Sequence, residues 1–174
     1  MRIERIEELR LGGADEAAIA ALLGASFGTD FGGRSCFMQR HHVRLVARDD
    51  GIIGHVGLTF RQIRQGARLI PILGLADVAT DPARRGEGIA GRLVAAAIDE
   101  GRAGPVAAMA LFGTAQLYAA AGFVRVANRL RHVDLLGAVT GEVHETEAHD
   151  LMVLPLDGRA WDDVTPVDLL GHLF

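Results

Sequence analysis

Residues 79–94, ATDPARRGEGIAGRLV, join a predicted apolar strand to a predicted amphipathic helix through a loop with two closely spaced glycines. Glycine lets the backbone approach a ligand, and the first amides of a helix are unpaired donors at the positive end of its dipole. Such a loop suits a pyrophosphate, although Gly-x-Gly also occurs in ordinary turns. The stretch therefore predicts either a phosphate-binding turn or a structural one.

The segments around this loop predict a mixed α/β chain. Apolar and alternating runs predict strands at 2–11, 43–49, 52–63, 68–80, 105–112, 123–136 and 151–156. Ala/Leu-rich runs predict helices at 15–25, capped by Asp15, at 89–102, at 114–122 and near 166–172. Asp50-Gly51 predicts a hairpin turn. With no repeat or linker, we expect residues 1–174 to form a single domain.

The basic residues exclude two classes of chemistry. All 18 are arginine, and the 174-residue chain has no lysine. A Walker-type phosphate loop and Schiff-base chemistry both need that amine. Residues 1–133 carry 17 arginines against 13 acids, whereas residues 134–174 carry one arginine against nine acids. An anion could therefore favour the body of the chain and a cation its tail, or the split could be an accident of solvated surfaces.

Other bulk features bear on compartment and partners. Cys36 is the only cysteine, which rules out an intrachain disulfide and fits a reducing compartment. The start, MRIERIEELR, lacks the apolar stretch of a signal peptide, and no run is long enough for a membrane span. We expect a cytoplasmic protein without nucleic-acid or membrane partners. The histidines are too scattered to predict a metal site, and mid-strand His55 is expected to be a core residue.

Two motifs resemble those of the GNAT superfamily of N-acetyltransferases. Arg85, Gly88 and Ala90 match its acyl-CoA pyrophosphate motif, R/Q-x-x-G-x-G/A. LYAAAGFVRV (117–126) resembles its downstream L-Y-x-x-x-G-F motif, and contains the chain's only tyrosine, Tyr118. Within the superfamily, the segments 54–66, 73–82 and 151–158 are most similar to the aminoglycoside 2′-N-acetyltransferases.

The resemblance implies a fold, an activity and a site. The implied fold is the GNAT fold, α/β (α+β), with a central mixed, mostly antiparallel twisted sheet of about 6–7 strands and about four helices. The implied activity is direct acetyl transfer from acetyl-CoA to a primary amine of a small, aminoglycoside-like cation. Tyr118 would be the general acid, and Asp30, Glu147 and Phe174 would bind the acceptor. The implied cofactor-binding residues are Val78, Thr80, Arg84, Arg85, Gly86, Glu87, Gly88, Ile89 and Ala90.

Asp77 is the sole carboxylate in the apolar run LIPILGLADVAT (69–80). A carboxylate buried there must be paired or protonated, which would suit a base acting on an ammonium through water. The alternative is that Asp77 binds main chain or an arginine such as Arg61. In the aminoglycoside enzymes the strand glutamate aligns with Ala76, so only a bulge would turn Asp77 to the same face.

Three further alternatives stay open from the sequence. The chain could be a noncatalytic acyl-CoA sensor, or it could use a longer acyl donor. Transfer through an acetyl-cysteine is disfavoured, because Cys36 lies far from both motifs and has no evident activating base. A homodimer is also left open.

Overall fold

The protein is described by a computed structural model over residues 1–28, 31–147 and 150–174. Its helices are α1 (Gly13–Phe27), α2 (Ile89–Ala103) and α3 (Gln116–Ala120), with 3-10 turns at Glu8–Arg10, Pro82–Arg84 and Leu136–Ala138. Its strands are β1 (Arg2–Glu7), β2 (Val43–Arg48), β3 (Ile52–Gln65), β4 (Arg68–Thr80), β5 (Ala108–Phe112), β6 (Val124–Arg125), β7 (Arg129–Val133), β8 (Val143–Glu147), β9 (Leu151–Pro155) and β10 (Val167–His172). The chain divides into two compact units.

The first unit comprises residues 1–59 and 75–98. Strands β1, β2 and β3 pair antiparallel, and the predicted Asp50-Gly51 hairpin connects β2 to β3. Helix α1 buries Ile19 and Leu23 against Ile6 and Val46 of the strands. Helix α2 lies on β3 at Gly54, where a Cβ would come within 2.7 Å of Ile89. This close approach sets the start of α2 against the sheet.

The second unit comprises residues 60–74 and 99–174. Strand β9 pairs antiparallel with β5 and β6, while β10 lies between β3 and β7 and is parallel to β7. Its core is aliphatic and includes Ile72, Val153 and Val167. Buried Asn128 holds the 156–166 connection, because its amide donates to the carbonyls of Asp162 and Thr165. The sheet is therefore mixed and mostly antiparallel, as the sequence predicts.

Two local predictions are wrong. Helix α1 begins at Gly13 with Gly12 as its N-cap, and the Asp15 carboxylate instead accepts hydrogen bonds from Arg48 at 3.1 and 3.0 Å. Residues 166–172 form β10, not a helix, because Val167 and Leu169 are buried at the two-residue period of a strand. The described residues also form more strands than expected, since the predicted strand 123–136 is divided into β6 and β7, and β8 is added.

Among the described residues, none of the helices combines the length and the apolar character needed to cross a membrane.

Candidate active site

The predicted phosphate loop lies at the junction of β4 and α2 in the first unit. Gly86 (φ +85°) and Gly88 (φ +73°) adopt left-handed conformations that side chains disfavour, and open space surrounds both. The first helical bond runs from Arg92 N–H to the Gly88 carbonyl, at 3.1 Å. The N–H groups of Ile89 and Ala90 are thus free donors at a helix start, the arrangement that binds anions.

Thr80 adds a polar group beside this loop. Its hydroxyl Oγ1 is buried and has no hydrogen-bond partner among the described residues. An unsatisfied buried hydroxyl is costly, so such a group indicates a ligand or a water that completes it. Together with the helix amides, it fits a polar, anionic cofactor such as the diphosphate portion of CoA.

The two arginines of the loop differ in their partners. Arg84 donates to both carboxylate oxygens of Glu87, at 2.6 and 2.8 Å, and to Asp49 at 3.3 Å. The hydrogen bonds from Arg84 lower the pKa of Glu87 and, with the N-terminal amine, that of Asp49. Arg85 is exposed and has no partner among the described residues. Arg85 is therefore the cation available to a phosphate, while Arg84 and Glu87 stabilise the loop.

Asp77 interrupts the extended conformation of β4. Its φ of +53° is left-handed, which aspartate tolerates better than most residues. The Oδ2 atom accepts a hydrogen bond from His41 Nε2 at 2.8 Å and one from the Phe37 N–H at 3.3 Å. A backbone irregularity is thus present where the sequence required one, and the partners of the carboxylate are a histidine and a main-chain amide.

A buried polar network lies behind Asp77. His55, fully buried, approaches the Asp77 carbonyl at 2.8 Å through Nδ1 and Arg44 Nη1 at 3.3 Å through Nε2. Burial lowers the pKa of His55 to about 3, so the ring is neutral. Arg44 also donates to both oxygens of Glu8, at 2.7 and 2.9 Å. His55 is the core residue that the sequence predicts, whereas the roles of His41 and Arg44 had no sequence signal beyond their nearness to β2.

Tyr118 belongs to the second unit, on the short helix α3. Its ring packs edge to face with Phe123 at 6.4 Å, and Gly113 leaves room for it, since a Cβ there would lie 3.0 Å from the ring. Burial raises the pKa of Tyr118. The hydroxyl therefore stays protonated at neutral pH and makes no hydrogen bond to a described residue, so it is free to donate a proton.

The predicted acceptor residues lie in different surroundings. Asp30 is outside the described residues. Glu147 is exposed at the end of β8, opposite Arg129 on β7. Phe174 packs 5.3 Å from Phe112 and against Gly74, where a Cβ would come within 2.6 Å of its ring, and Arg61 lies over the ring at 5.4 Å. Phe174 thus packs within the second unit.

The family is shown by sequence. Residues 10–126 match the model of the acetyltransferase (GNAT) domain. The chain therefore belongs to the GNAT acetyltransferase family and is an acyltransferase. Acetyl-CoA is the cosubstrate of this family. No curated protein matches the chain by sequence.

Solved structures support the same fold. A GNAT family N-acetyltransferase (YhbS) from Escherichia coli, in complex with CoA, is 24% identical, with 97% of this chain and 88% of that one covered and a TM-score of 0.64. A GNAT family acetyltransferase from Brucella melitensis, in complex with acetyl-CoA, is 19% identical, with coverage of 95% and 94% and a TM-score of 0.60. IAA acetyltransferase from Bacillus cereus is 14% identical, with coverage of 89% and 99% and a TM-score of 0.54. The expected GNAT fold is confirmed.

Proposed function

We propose that the chain is an acetyl-CoA-dependent N-acetyltransferase that acetylates a primary amine of a small, cationic acceptor by direct transfer. The observation that carries the proposal is the β4–α2 junction, where free helix amides, two left-handed glycines and the orphaned Thr80 hydroxyl occur together in a GNAT chain. These groups fit the phosphates of CoA. Arg85 and the amides of Gly86, Gly88, Ile89 and Ala90 hold them, as the family motif implies.

The chemistry needs a proton acceptor, an oxyanion donor and a proton donor. Bound acetyl-CoA supplies the thioester. The Asp77 carboxylate takes a proton from the acceptor ammonium, directly or through a water. The Val78 N–H donates to the developing oxyanion. Tyr118, whose pKa is raised by burial, donates its proton to the departing sulfur.

Direct transfer is favoured over an acetyl-cysteine intermediate. Cys36 is buried, and burial raises the pKa of its thiol. A thiol held in its protonated form is a poor nucleophile. The lone reduced cysteine also fits a cytoplasmic location.

The acceptor is proposed from charge and from resemblance. Residues 134–174 carry nine acids against one arginine, which favours a cation. Segments 54–66, 73–82 and 151–158 resemble the aminoglycoside 2′-N-acetyltransferases, so we propose a molecule with several amines. Asp30, Glu147 and Phe174 are its proposed contacts. We further infer that residues 1–174 act as one acetyltransferase domain, because the family model and the E. coli match extend over residues of both units.

The test is release of free thiol from acetyl-CoA across a panel of aminoglycosides, polyamines and amino acids. We expect turnover with at least one polyamine-like acceptor and acetylation of one of its primary amines by mass spectrometry. CoA binding with no thiol release on any amine would identify a noncatalytic sensor instead. Hexanoyl-CoA and longer donors are run in parallel, since faster turnover with them would replace acetyl as the transferred group. Light scattering of the same samples tests for a homodimer.

A further inference from the structure

His41 is a buried histidine that the proposed chemistry does not yet use. It lies just before β2, and its side chain is 4% exposed. Its Nε2 is 2.8 Å from Asp77 Oδ2, and its Nδ1 is 3.4 Å from the Thr59 hydroxyl. Gly57 on β3 makes room for the ring, because a Cβ there would lie 2.3 to 2.5 Å from three ring atoms. The fold thus reserves this space for the imidazole.

The partners of the two neighbouring imidazoles decide which nitrogens carry protons. Arg44 can only donate and the Asp77 carbonyl can only accept, so neutral His55 is protonated at Nδ1 and accepts at Nε2. The ionised Asp77 carboxylate can only accept, so His41 is protonated at Nε2. The rings are 5.9 Å apart and hold opposite tautomers.

This arrangement makes the two oxygens of Asp77 unequal. Both hydrogen bonds, from His41 and from the Phe37 amide, go to Oδ2. No described residue donates to Oδ1, and Oδ1 is not among the buried unsatisfied atoms, so it remains accessible. His55 holds the carbonyl of the same residue, which fixes the left-handed backbone. Oδ1 is therefore the oxygen that can take a proton from outside.

We infer that His41 is a positioning residue for amine deprotonation: its Nε2–H holds Asp77 so that Oδ1 alone accepts the proton. The inference rests on the proposed function and assigns a residue to that same site. In the step, one N–H bond of the acceptor ammonium breaks and an O–H bond forms at Oδ1. The nitrogen keeps the electron pair as a neutral amine, and Asp77 later returns the proton to water.

Several charged or titratable groups surround the pair. His41 is faced by Asp77 from β4 and by His55 and Thr59 from β3. Behind them, Arg44 from β2 is neutralised by Glu8, and Arg40 also binds Glu8 at 2.9 Å. Cys36 adds no charge, since burial keeps its thiol protonated. The free electrostatic partner of Asp77 in this part of the chain is thus His41.

Two variants of the full-length protein separate positioning from packing. In His41→Gln, the amide nitrogen occupies nearly the place of Nε2 and still donates, whereas His41→Leu fills the space without a donor. We expect kcat/KM for the amine to stay within about threefold in H41Q and to fall about tenfold or more in H41L. The acidic limb of its pH profile should move to higher pH in H41L, because the ionised carboxylate loses a hydrogen bond.

Ring-nitrogen NMR of the 15N-labelled protein without acetyl-CoA at pH 8 gives an independent readout. We expect His41 as the Nε2–H tautomer and His55 as the Nδ1–H tautomer. An Nδ1–H tautomer at His41 would overturn the inference whether or not the enzyme turns over. In an active enzyme, an unchanged rate and pH profile in H41L would also overturn it while the acetyltransferase stands. Failure of every amine with the wild-type protein would count against the proposed function instead.

Discussion

Gly57→Ala tests the space reserved for His41. The new Cβ would lie 2.3 Å from Nε2, 2.4 Å from Cδ2 and 2.5 Å from Cε1 of the ring. Ordinary contacts are about 3.5 Å, so the ring must retreat by about 1 Å. The hydrogen bond to Asp77, now 2.8 Å, would then stretch to about 3.8 Å and be lost.

The expected loss of stability has two parts. Overpacking costs about 1–3 kcal/mol, and a broken hydrogen bond to a carboxylate costs about 1.5–3 kcal/mol. We expect the free energy of unfolding to fall by about 2–5 kcal/mol and Tm by about 5–15 °C. Activity should fall together with stability, because Asp77 loses its positioning residue.

The measurement is urea unfolding and thermal melting of four proteins: wild type, G57A, H41A and the double variant. In the H41A background the ring is absent, so adding G57A should cost almost nothing. Gly91→Ala is the matched control, since nothing lies within 4 Å of that Cβ and alanine favours the helix. If G57A costs as much in H41A as in the wild type, or no more than G91A does, the steric argument is wrong.

Three further outcomes test other parts of the protein. Gly88→Ala should raise the KM for acetyl-CoA about tenfold or more, since its φ of +73° is strained for alanine and the Cβ would enter the open loop; G91A again is the control, and equal KM values would contradict the phosphate loop. Tyr118→Phe should lower kcat about 100-fold, the low end for a general acid because a thiolate leaves readily, without changing Tm; an unchanged kcat would remove Tyr118 from that role. Burial would raise the pKa of Glu8, but the hydrogen bonds and charges of Arg44 and Arg40 outweigh it and lower the pKa, so Glu8 stabilises the fold above about pH 4.5 and that stability is lost as pH falls through its lowered pKa. Glu8→Gln should therefore flatten the fall in unfolding free energy below about pH 4.5, measured by urea titration, and an equally steep fall would exclude Glu8 as its source.

The elements that sequence reasoning predicted well are those with a local cause. Helix α2 follows its glycine loop, and the Asp50-Gly51 turn closes the β2–β3 hairpin as expected. The segment 166–172 was misassigned because its leucines suit a helix, whereas Val167 and Leu169 enter a sheet core formed by distant strands. Burial of those two residues outweighs their local preference.

The same division holds within the candidate site. Arg85 to Ala90 are adjacent in the chain, so a motif of a few residues identifies them. Asp77 stood out as a lone carboxylate in an apolar run, but its partner His41 is 36 residues away, and nothing near His41 in the sequence points to it. Glu8 and Arg44, also 36 residues apart, were missed for the same reason.

The sequence by itself determined the family, the mixed α/β architecture and the loop that offers amides to a phosphate, because each depends on neighbouring residues and on their spacing. Only the tertiary structure decided which oxygen of Asp77 is free and which histidine holds the other. Those properties depend on the register of β2 with β3 and on the left-handed backbone at Asp77. A shift of one residue in a strand turns its side chains to the other face, so side-chain partners emerge only when the strands are paired.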